Sequence, residues 1–466
     1  NVVAKTVVGN FLLVWQIDIA IAMGDYEKAS SIARKGLDSY AHAHVYSQYL
    51  HYQAFLEAVF GNREAAIRAA EESLKMRREV GGRVFTLINL VNVGNAYVVL
   101  GLKDKAKPLL LTAIKISRDI GEEYLRAGAY AALAYLCIKH DEKKTVEYVT
   151  GCLQCLKKNN YRHYFGWSPT IIQPVLEYAV AHGIEENYAR TLAADRFGIA
   201  ILPDGTSIPL LKIRTLGNLN LSIRDNVVEA QDLTPAMREL LALLISSTDM
   251  KMYQEEILTI MWPDISPAKA RSRFDTLLLE LRKILKSKFD NTQIDYYLIL
   301  KKGVLCLTNC RLDADIFIEN VRKGFAHIQK KELWQAGNRF YSASLEWTGP
   351  YCSGLRNKDI VSTKGYELDR LHTEMSLAWG KLLLDINRLD ECIDVLNQAL
   401  KHDRTHDALV RALYHAYISS NQRANANKLL KQYENDLRTD EYAPDEIAET
   451  VKTIWDVDLS SQSNAQ

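Results

Sequence analysis

The residues with the clearest chemical use are cations at helical spacing. The stretch RSRFDTLLLELRKIL, residues 271–285, interleaves Arg and Lys with an apolar repeat. At 100° per residue Phe274, Leu278, Leu281 and Leu285 share one side, with Leu277 and Ile284 at its margin. The opposite side carries Lys269, Ser272, Thr276, Leu279 and Lys283, bordered by Arg273, Asp275 and Glu280. Arg271 and Arg282 lie nearer the core margin, and Lys286 extends the cationic side. A helix of this kind fits the major groove of duplex DNA. There Ser and Thr bond several base edges, Lys donates to guanine, and an exposed Leu touches a thymine methyl. Taken alone, the same cations read as a solvated face; the order of the neighbouring elements reverses that preference. Further on, LKKGVL places Lys301 and Lys302 beside Gly303, where a tight turn could meet sugar-phosphate and set position without reading sequence. Ordinary turn solubility is the competing use.

Other chemistries find little support. The seven cysteines are odd in number and dispersed, unlike a secreted disulfide framework, so reduced thiols are expected. Cys152 and Cys155 in CLQC have a metal-ligand gap, and His163 is nearby in sequence, but no second pair completes a tetrahedral site. Cys306 and Cys310 in CLTNC are read in the same way, as small apolar residues. His182, His402 and His406 fall in helices or turns without paired ligands. No GxxxxGK[ST], no HExxH and no nucleophile elbow occurs. The sequence therefore nominates no catalytic residue, no cofactor and no metal, and an enzyme is not expected.

At 466 residues the chain exceeds one ordinary core, and about 150 residues per domain suggests roughly three. Hydrophobic residues make up 48% and charged residues 25%, and the net charge of +1 gives no overall pull toward polyanions. Any nucleic-acid surface must be local, and residues 210–312 hold 15 Lys plus Arg against 12 Asp plus Glu. Binding there would fall steeply with salt. No apolar run of membrane-spanning length and no secretory leader is present, so a cytoplasmic protein with no membrane partner is expected. The chain opens on Asn1, as though already inside a helix, and reads as a piece of a longer polypeptide.

These cations need elements to hold them. LTPAMRELLALLIS, QEEILTIMWPD and the cationic stretch predict three short helices, followed by a hairpin around KKG. Thr234 before Pro235 and Ser266 before Pro267 are cap-plus-proline starts, and Pro263 ends the second helix. Three helices and a tight hairpin are the layout of a winged helix. Strand patterns in LKIRTLGNLNLSI and YYLILKKGVLCLT flank them, and LPDGTSIP, 202–209, reads as a linker. Upstream, GDYEKA at 24, GNREAA at 61, GLKDKA at 101 and a weaker HDEKKT at 140 start roughly 37 to 40 residues apart. Gly24, Gly61 and Gly101 suit a positive-φ position past a helix end, and Ala29, Ala66 and Ala106 allow close helix approach. Such hairpins must stack to bury their apolar stripes. The stretch NNYRHYFGW, 159–167, either lines a pocket or is a turn with core aromatics. NRLDEC at 387, NQRANA at 421 and KKELWQA at 330–336 continue the hairpin pattern, and SSQSNAQ at the end is too polar to pack.

The upstream repeats resemble the tetratricopeptide family in a long-repeat version. EEILTIMWPDISPAKARSRFDTLLLELRKIL resembles the DNA-binding domain of bacterial SARP-type activators, an OmpR-like winged helix. The tail from LDADIF, with WTGPYCSGL and the hairpins at 387 and 421, is similar to the bacterial transcriptional activator domain that follows it in that family. This resemblance covers about residues 211–455. It implies double-stranded promoter DNA as partner, often bound by a homodimer on repeated sites, contact with RNA polymerase, and nucleoid association when DNA-bound. The upstream helical repeats resemble the sensor arms of large regulators, and such a stack commonly holds a protein or small-molecule effector on its concave face. Leu279 and Glu280 stand where the family usually has serine and arginine, and a carboxylate there accepts from cytosine but repels phosphate. The expected fold is mainly α: a helical-repeat arm over 1–194, a linker over 195–210, and an α+β winged helix over 211–312. A second helical-repeat domain over 313–457 and a flexible tail over 458–466 complete it. The alternative is a protein-interaction scaffold whose winged helix has lost DNA binding.

Overall fold

The computed structural model describes residues 7–38, 42–289 and 293–462. The chain is mainly α and divides into two compact units, Asn1–Pro209 and Leu210–Gln466. The helix expected at the first six residues and the last four residues of the polar tail lie outside the described residues.

Unit 1 is a stack of helical hairpins: α1 (Val7–Met23) with α2 (Tyr26–Asp38), α3 (Ala43–Val59) with α4 (Arg63–Val80), and α5 (Arg83–Val99) with α6 (Lys103–Ile120). Then come α7 (Glu123–Cys137) with α8 (Glu142–Lys158), and α9 (Pro169–Ala181) with α10 (Glu186–Phe197). The odd-numbered helices pack against one another in series, and the even-numbered ones pack on the odd-numbered helices either side, so α1, α3, α5, α7 and α9 form an inner layer. Four of the five hairpins turn on a glycine in the left-handed region. Gly24 and Gly61 have φ +82° and Gly101 +73°, with open space where a Cβ would stand. The residue after each glycine donates its amide back to a carbonyl five residues earlier, as Asp25 does to Ala20 at 2.9 Å, which ends the helix and absorbs its orphan carbonyls. The fourth turn lacks glycine and is capped instead by Asp141, whose side chain accepts from the Lys144 amide at 3.0 Å. Ala29, Ala66 and Ala106 are fully buried where the paired helices meet.

The residues read as a linker are structured. β1 (Ile199–Ile201) and β2 (Ser207–Pro209) pair antiparallel, Ile199 opposite Pro209, with Gly205 in the turn at φ +88°. The Pro-Asp-Gly cluster is a hairpin turn between two short strands whose Ile201 and Ile208 are buried. This hairpin belongs to unit 1.

Unit 2 begins with β3 (Leu211–Arg214), β4 (Asn220–Ile223) and β5 (Asn226–Val228), then α11 (Pro235–Ser246), β6 (Lys251–Tyr253), α12 (Gln254–Met261) and α13 (Pro267–Lys288). β7 (Leu298–Lys301), β8 (Val304–Leu307) and β9 (Cys310–Leu312) follow. One sheet has the order β5-β4-β3-β9, with β9 parallel to β3, and the other has the order β6-β8-β7. This is the winged-helix region. The helices α14 (Asp313–Gln329), α15 (Leu333–Ser344), α16 (Asp359–Asp385), α17 (Leu389–Leu400), α18 (Asp407–Ser419), α19 (Arg423–Thr439) and α20 (Pro444–Gln462) complete the unit. Their hairpins turn on Lys331, Asn387 and Asn421, at φ between 59° and 60°, the place that glycine takes in unit 1. α20 continues to Gln462, into the stretch read as a frayed tail.

Asp313 ties the two parts of unit 2 together. Its buried carboxylate accepts from the Thr215 amide at 2.8 Å, the Thr215 hydroxyl at 2.7 Å, the Leu216 amide at 3.0 Å and the Ala314 amide at 2.8 Å. The WTGPYCSGL segment docks on the same loop, where Cys352 N donates to Thr215 O and Gly217 N to Pro350 O. Further out, Lys358 Nζ reaches Glu239 on α11 and the carbonyl of Ile260 on α12, each at 3.1 Å. Among the described residues no helix is long and apolar enough to cross a membrane.

Candidate nucleic-acid interface

α13 is the longest helix of the winged-helix region, and its two sides separate as a 3.6-residue period demands. Phe274, Leu277, Leu278, Leu281 and Leu285 are buried. Lys269, Arg271, Ser272, Arg273, Thr276, Lys283 and Lys286 are exposed, and Leu279 is 69% exposed. Asp275 and Glu280 share the exposed side. Pro267 occupies the first turn as read from the sequence, but the Ser266 hydroxyl makes no capping bond, so the fixed φ of proline alone sets the start. By contrast, Thr234 caps α11 by accepting from the Met237 amide at 3.4 Å. The Thr276 hydroxyl donates to the Ser272 carbonyl at 3.0 Å, which leaves its lone pairs as acceptors on the outer face. Among the described residues, none of the exposed cations on this face is held in an ion pair.

The hairpin stands beside the helix. Arg282 Nη2 donates to the Leu298 carbonyl at 3.0 Å, tying α13 to β7. Lys301 pairs with Val304 across a two-residue turn in which Lys302 has φ +52° and Gly303 φ +75°. Positive φ at both central residues matches the twist of the flanking strands and keeps the tip narrow. Lys301 and Lys302 are both exposed. Strand β6 adds a third strand to this sheet, not foreseen from the sequence: Tyr253, 67% exposed, lies opposite Val304, and the Gln254 amide donates to the Gly303 carbonyl at 2.8 Å. Exposed Lys251 is on the same strand. A three-residue strand between two helices carries no periodicity from which it could be read.

The remaining candidates are placed elsewhere. Cys152 and Cys155 are buried in α8, and burial pushes the Cys152 thiol well up. Cys306 and Cys310 are half-buried on β8 and β9. His182 stacks on Tyr178, and His406 caps α18 by accepting from the Leu409 amide at 3.4 Å. His402 stands edge-on to His372, whose ring stacks on Trp347 at 4.1 Å. Among the described residues no group of three or more His, Cys, Asp or Glu is arranged to hold a metal. Tyr164, Phe165 and Trp167 of NNYRHYFGW are buried.

Residues 312–444 match the model of the bacterial transcriptional activator domain. The transcriptional regulatory protein MoaR1 of Mycobacterium bovis (strain BCG / Pasteur 1173P2) is 25% identical over 205 residues, covering 41% of this chain and 63% of that protein. MoaR1 of Mycobacterium tuberculosis (strain ATCC 25618 / H37Rv) is 24% identical over 204 residues, with the same coverage. The chain thus spans about 63% of the length of the curated relatives it matches. Among solved structures, Mycobacterium tuberculosis EmbR in complex with a low-affinity phosphopeptide is 21% identical, covering 53% of this chain and 65% of that one. The TM-score of that match is 0.41. The winged-helix region runs through β9 directly into the segment that matches the bacterial transcriptional activator domain, an arrangement similar to that of SARP-type regulators.

Proposed function

We propose that the chain is a regulator of transcription that binds double-stranded promoter DNA, with α13 in the major groove and the β7–β8 hairpin on the adjacent backbone. The observation that carries this reading is the unoccupied outer side of α13, where cations, two hydroxyl residues and Leu279 face solvent together beside a lysine-tipped hairpin. Lys269, Arg271, Ser272, Arg273, Thr276, Leu279, Lys283 and Lys286 supply the groove face, and Lys301 and Lys302 the backbone contact. On the same reading residues 211–312 form the DNA-binding domain. The helices that follow serve self-association and contact with RNA polymerase, and unit 1 takes a protein or small-molecule effector. The role is regulatory rather than catalytic.

The test is fluorescence anisotropy of the full chain on a pool of random duplexes across a salt series. Lys283→Glu is expected to cost about 1–3 kcal/mol of duplex affinity. Lys301→Ala is expected to weaken all duplexes alike and to reduce the magnitude of the slope of log K against log salt by about 1. Unchanged isotherms for both variants would remove this surface from consideration. A second reading, a protein-interaction scaffold, is favoured by one observation: Asp275 and Glu280 share the outer face with the cations. Absence of duplex affinity at low salt would select it.

A further inference from the structure

The turn motif KKELWQA leads into α15, and this helix carries two different apolar sides. Ala336, Phe340 and Ala343 are buried within unit 2. Trp334, Tyr341 and Leu345 recur at intervals of seven and four residues along another side, which no described residue covers. Trp334 is 78% exposed, and Leu333, Tyr341, Leu345 and Ile386, in the turn after α16, are exposed as well. Together they border an apolar groove of about 510 Å³ between α15 and the carboxy-terminal half of α16. Trp379 lines its base, with the Tyr341 ring edge-on at 6.3 Å. Contiguous exposed apolar surface of this kind marks an interaction site.

Gly337 stands in the middle of the exposed side and also lines the groove. Glycine inside a helix is less stable than alanine, so its presence there needs a reason. From α2 to α16 seven other glycines lie inside helices, and each has one: an added Cβ would come within 3.0 Å of a neighbour. At Gly324 that neighbour is Phe340, at 2.3 Å, and at Gly380 it is Leu396, at 3.0 Å. At Gly337 a Cβ would meet nothing within 4 Å, and the residue does not take positive φ. The missing side chain serves no contact inside the chain. Close approach by something outside it is the remaining use.

We propose that this side of α15 docks a second copy of the chain, the two α15 helices crossing antiparallel at Gly337. About that crossing Trp334, three residues before the glycine, meets Tyr341 of the second copy, four residues after it. Each indole then enters the groove whose base is the other copy's Trp379. One face thus supplies both the projecting ring and its receptor, as an interface with two-fold symmetry requires. Charge does not oppose the pairing, because Arg388 at the rim is neutralised by Glu391 of its own chain. With about 150–250 Å² for each large aromatic side chain, the exposed parts come to roughly 500 Å² per copy. The dimer would bury on the order of 1,000 Å², at the lower bound for a specific interface. It is therefore reversible and micromolar rather than obligate. This inference rests on the self-association proposed for the helices after residue 312 and names its surface.

Sedimentation velocity of the full chain without DNA, across micromolar concentrations, is the test. The wild type should dimerise reversibly. Trp334→Ala and Gly337→Ala should each raise the dissociation constant about tenfold or more. Gly337→Ala has a second readout: its Cβ enters open space, so the melting temperature of the dilute chain should hold or rise while the dimer weakens. Tyr366→Ala removes an equally exposed ring that does not line the groove, and should leave the dissociation constant unchanged. A chain that stays monomeric at every concentration overturns both this proposal and the self-association beneath it, and gives the face to a different protein. A dimer indifferent to Trp334→Ala and Gly337→Ala, or weakened as much by Tyr366→Ala, overturns this surface alone. Duplex binding is untouched by any of these outcomes.

Discussion

Replacing Asp313 with alanine should loosen unit 2 more than any surface substitution. The carboxylate accepts four hydrogen bonds, three from backbone amides and one from a hydroxyl, at 2.7–3.0 Å, and the residue is 5% exposed. Deleting it leaves the amides of Thr215, Leu216 and Ala314 facing a void. At about 1–3 kcal/mol for each stranded donor, and less than additively because they share one acceptor, the cost is about 4 kcal/mol. Asp313→Asn retains one acceptor oxygen and should cost about half of that. Thr215→Val removes only the hydroxyl bond and should cost about 1 kcal/mol. At about 2–4 °C per kcal/mol for a region of this size, Asp313→Ala lowers the melting of unit 2 by about 10 °C. Differential scanning calorimetry of the full chain is the assay, with the unit 1 transition as internal reference. A loss below about 1 kcal/mol for Asp313→Ala, or equal losses for alanine and asparagine, would show that the accepted hydrogen bonds are not what joins the two parts.

Two further predictions concern pH. Burial, assisted by the charge of His402, depresses the His372 pKa from its ordinary 6.5 to about 3. The unfolded chain takes up that proton below pH 6.5 while the folded chain does not, so stability present above 6.5 is lost as pH falls toward 3, by up to about 1.4 kcal/mol per pH unit. His372→Phe keeps the stack on Trp347 and should remove this slope, reducing the difference in urea stability between pH 7 and pH 5 by about 2 kcal/mol; an unchanged difference would disprove it. Asp18 on α1 behaves oppositely: burial raises its carboxyl to about 7 from 3.8. The folded state then holds the proton that the unfolded state releases, so stability falls as pH rises from 3.8 to 7. Asp18→Asn should stabilise unit 1 by about 2 kcal/mol at pH 8 and by nothing at pH 4, allowing for partial screening. Equal effects at both pH values would refute the assignment.

Much of this architecture is legible in the chain because helical period and turn chemistry act locally. Phe274, Leu278, Leu281 and Leu285 are buried where their spacing puts them, and Leu277, read as marginal, is buried too. Gly24, Gly61 and Gly101 take the positive φ that their places at hairpin turns require. Asn387, Asn421 and Lys331 take it as well, and at Lys331 the turn was legible from the motif KKELWQA rather than from the propensity of a lysine. What escapes a local reading is pairing over long separation. β6 and β9 have three residues each, and their strand character comes from β8 and β3 rather than from their own side chains. β1 and β2 were hidden by a proline-rich stretch whose turn signal suits a hairpin as well as a linker. The outer face of α13 was legible as a set of residues. Its neighbour Tyr253 was not, because only the β6–β8 register brings it beside the hairpin.

The parallel pairing of β9 with β3 has a mechanical meaning. β9 passes without a loop into α14, and β3 is flanked by β9 on one side and β4 on the other. A pull along α14 therefore loads the ladder in shear, so its bonds resist together instead of unzipping one by one. Tension or torque on the carboxy-terminal helices would travel into the sheet as through a rigid spindle.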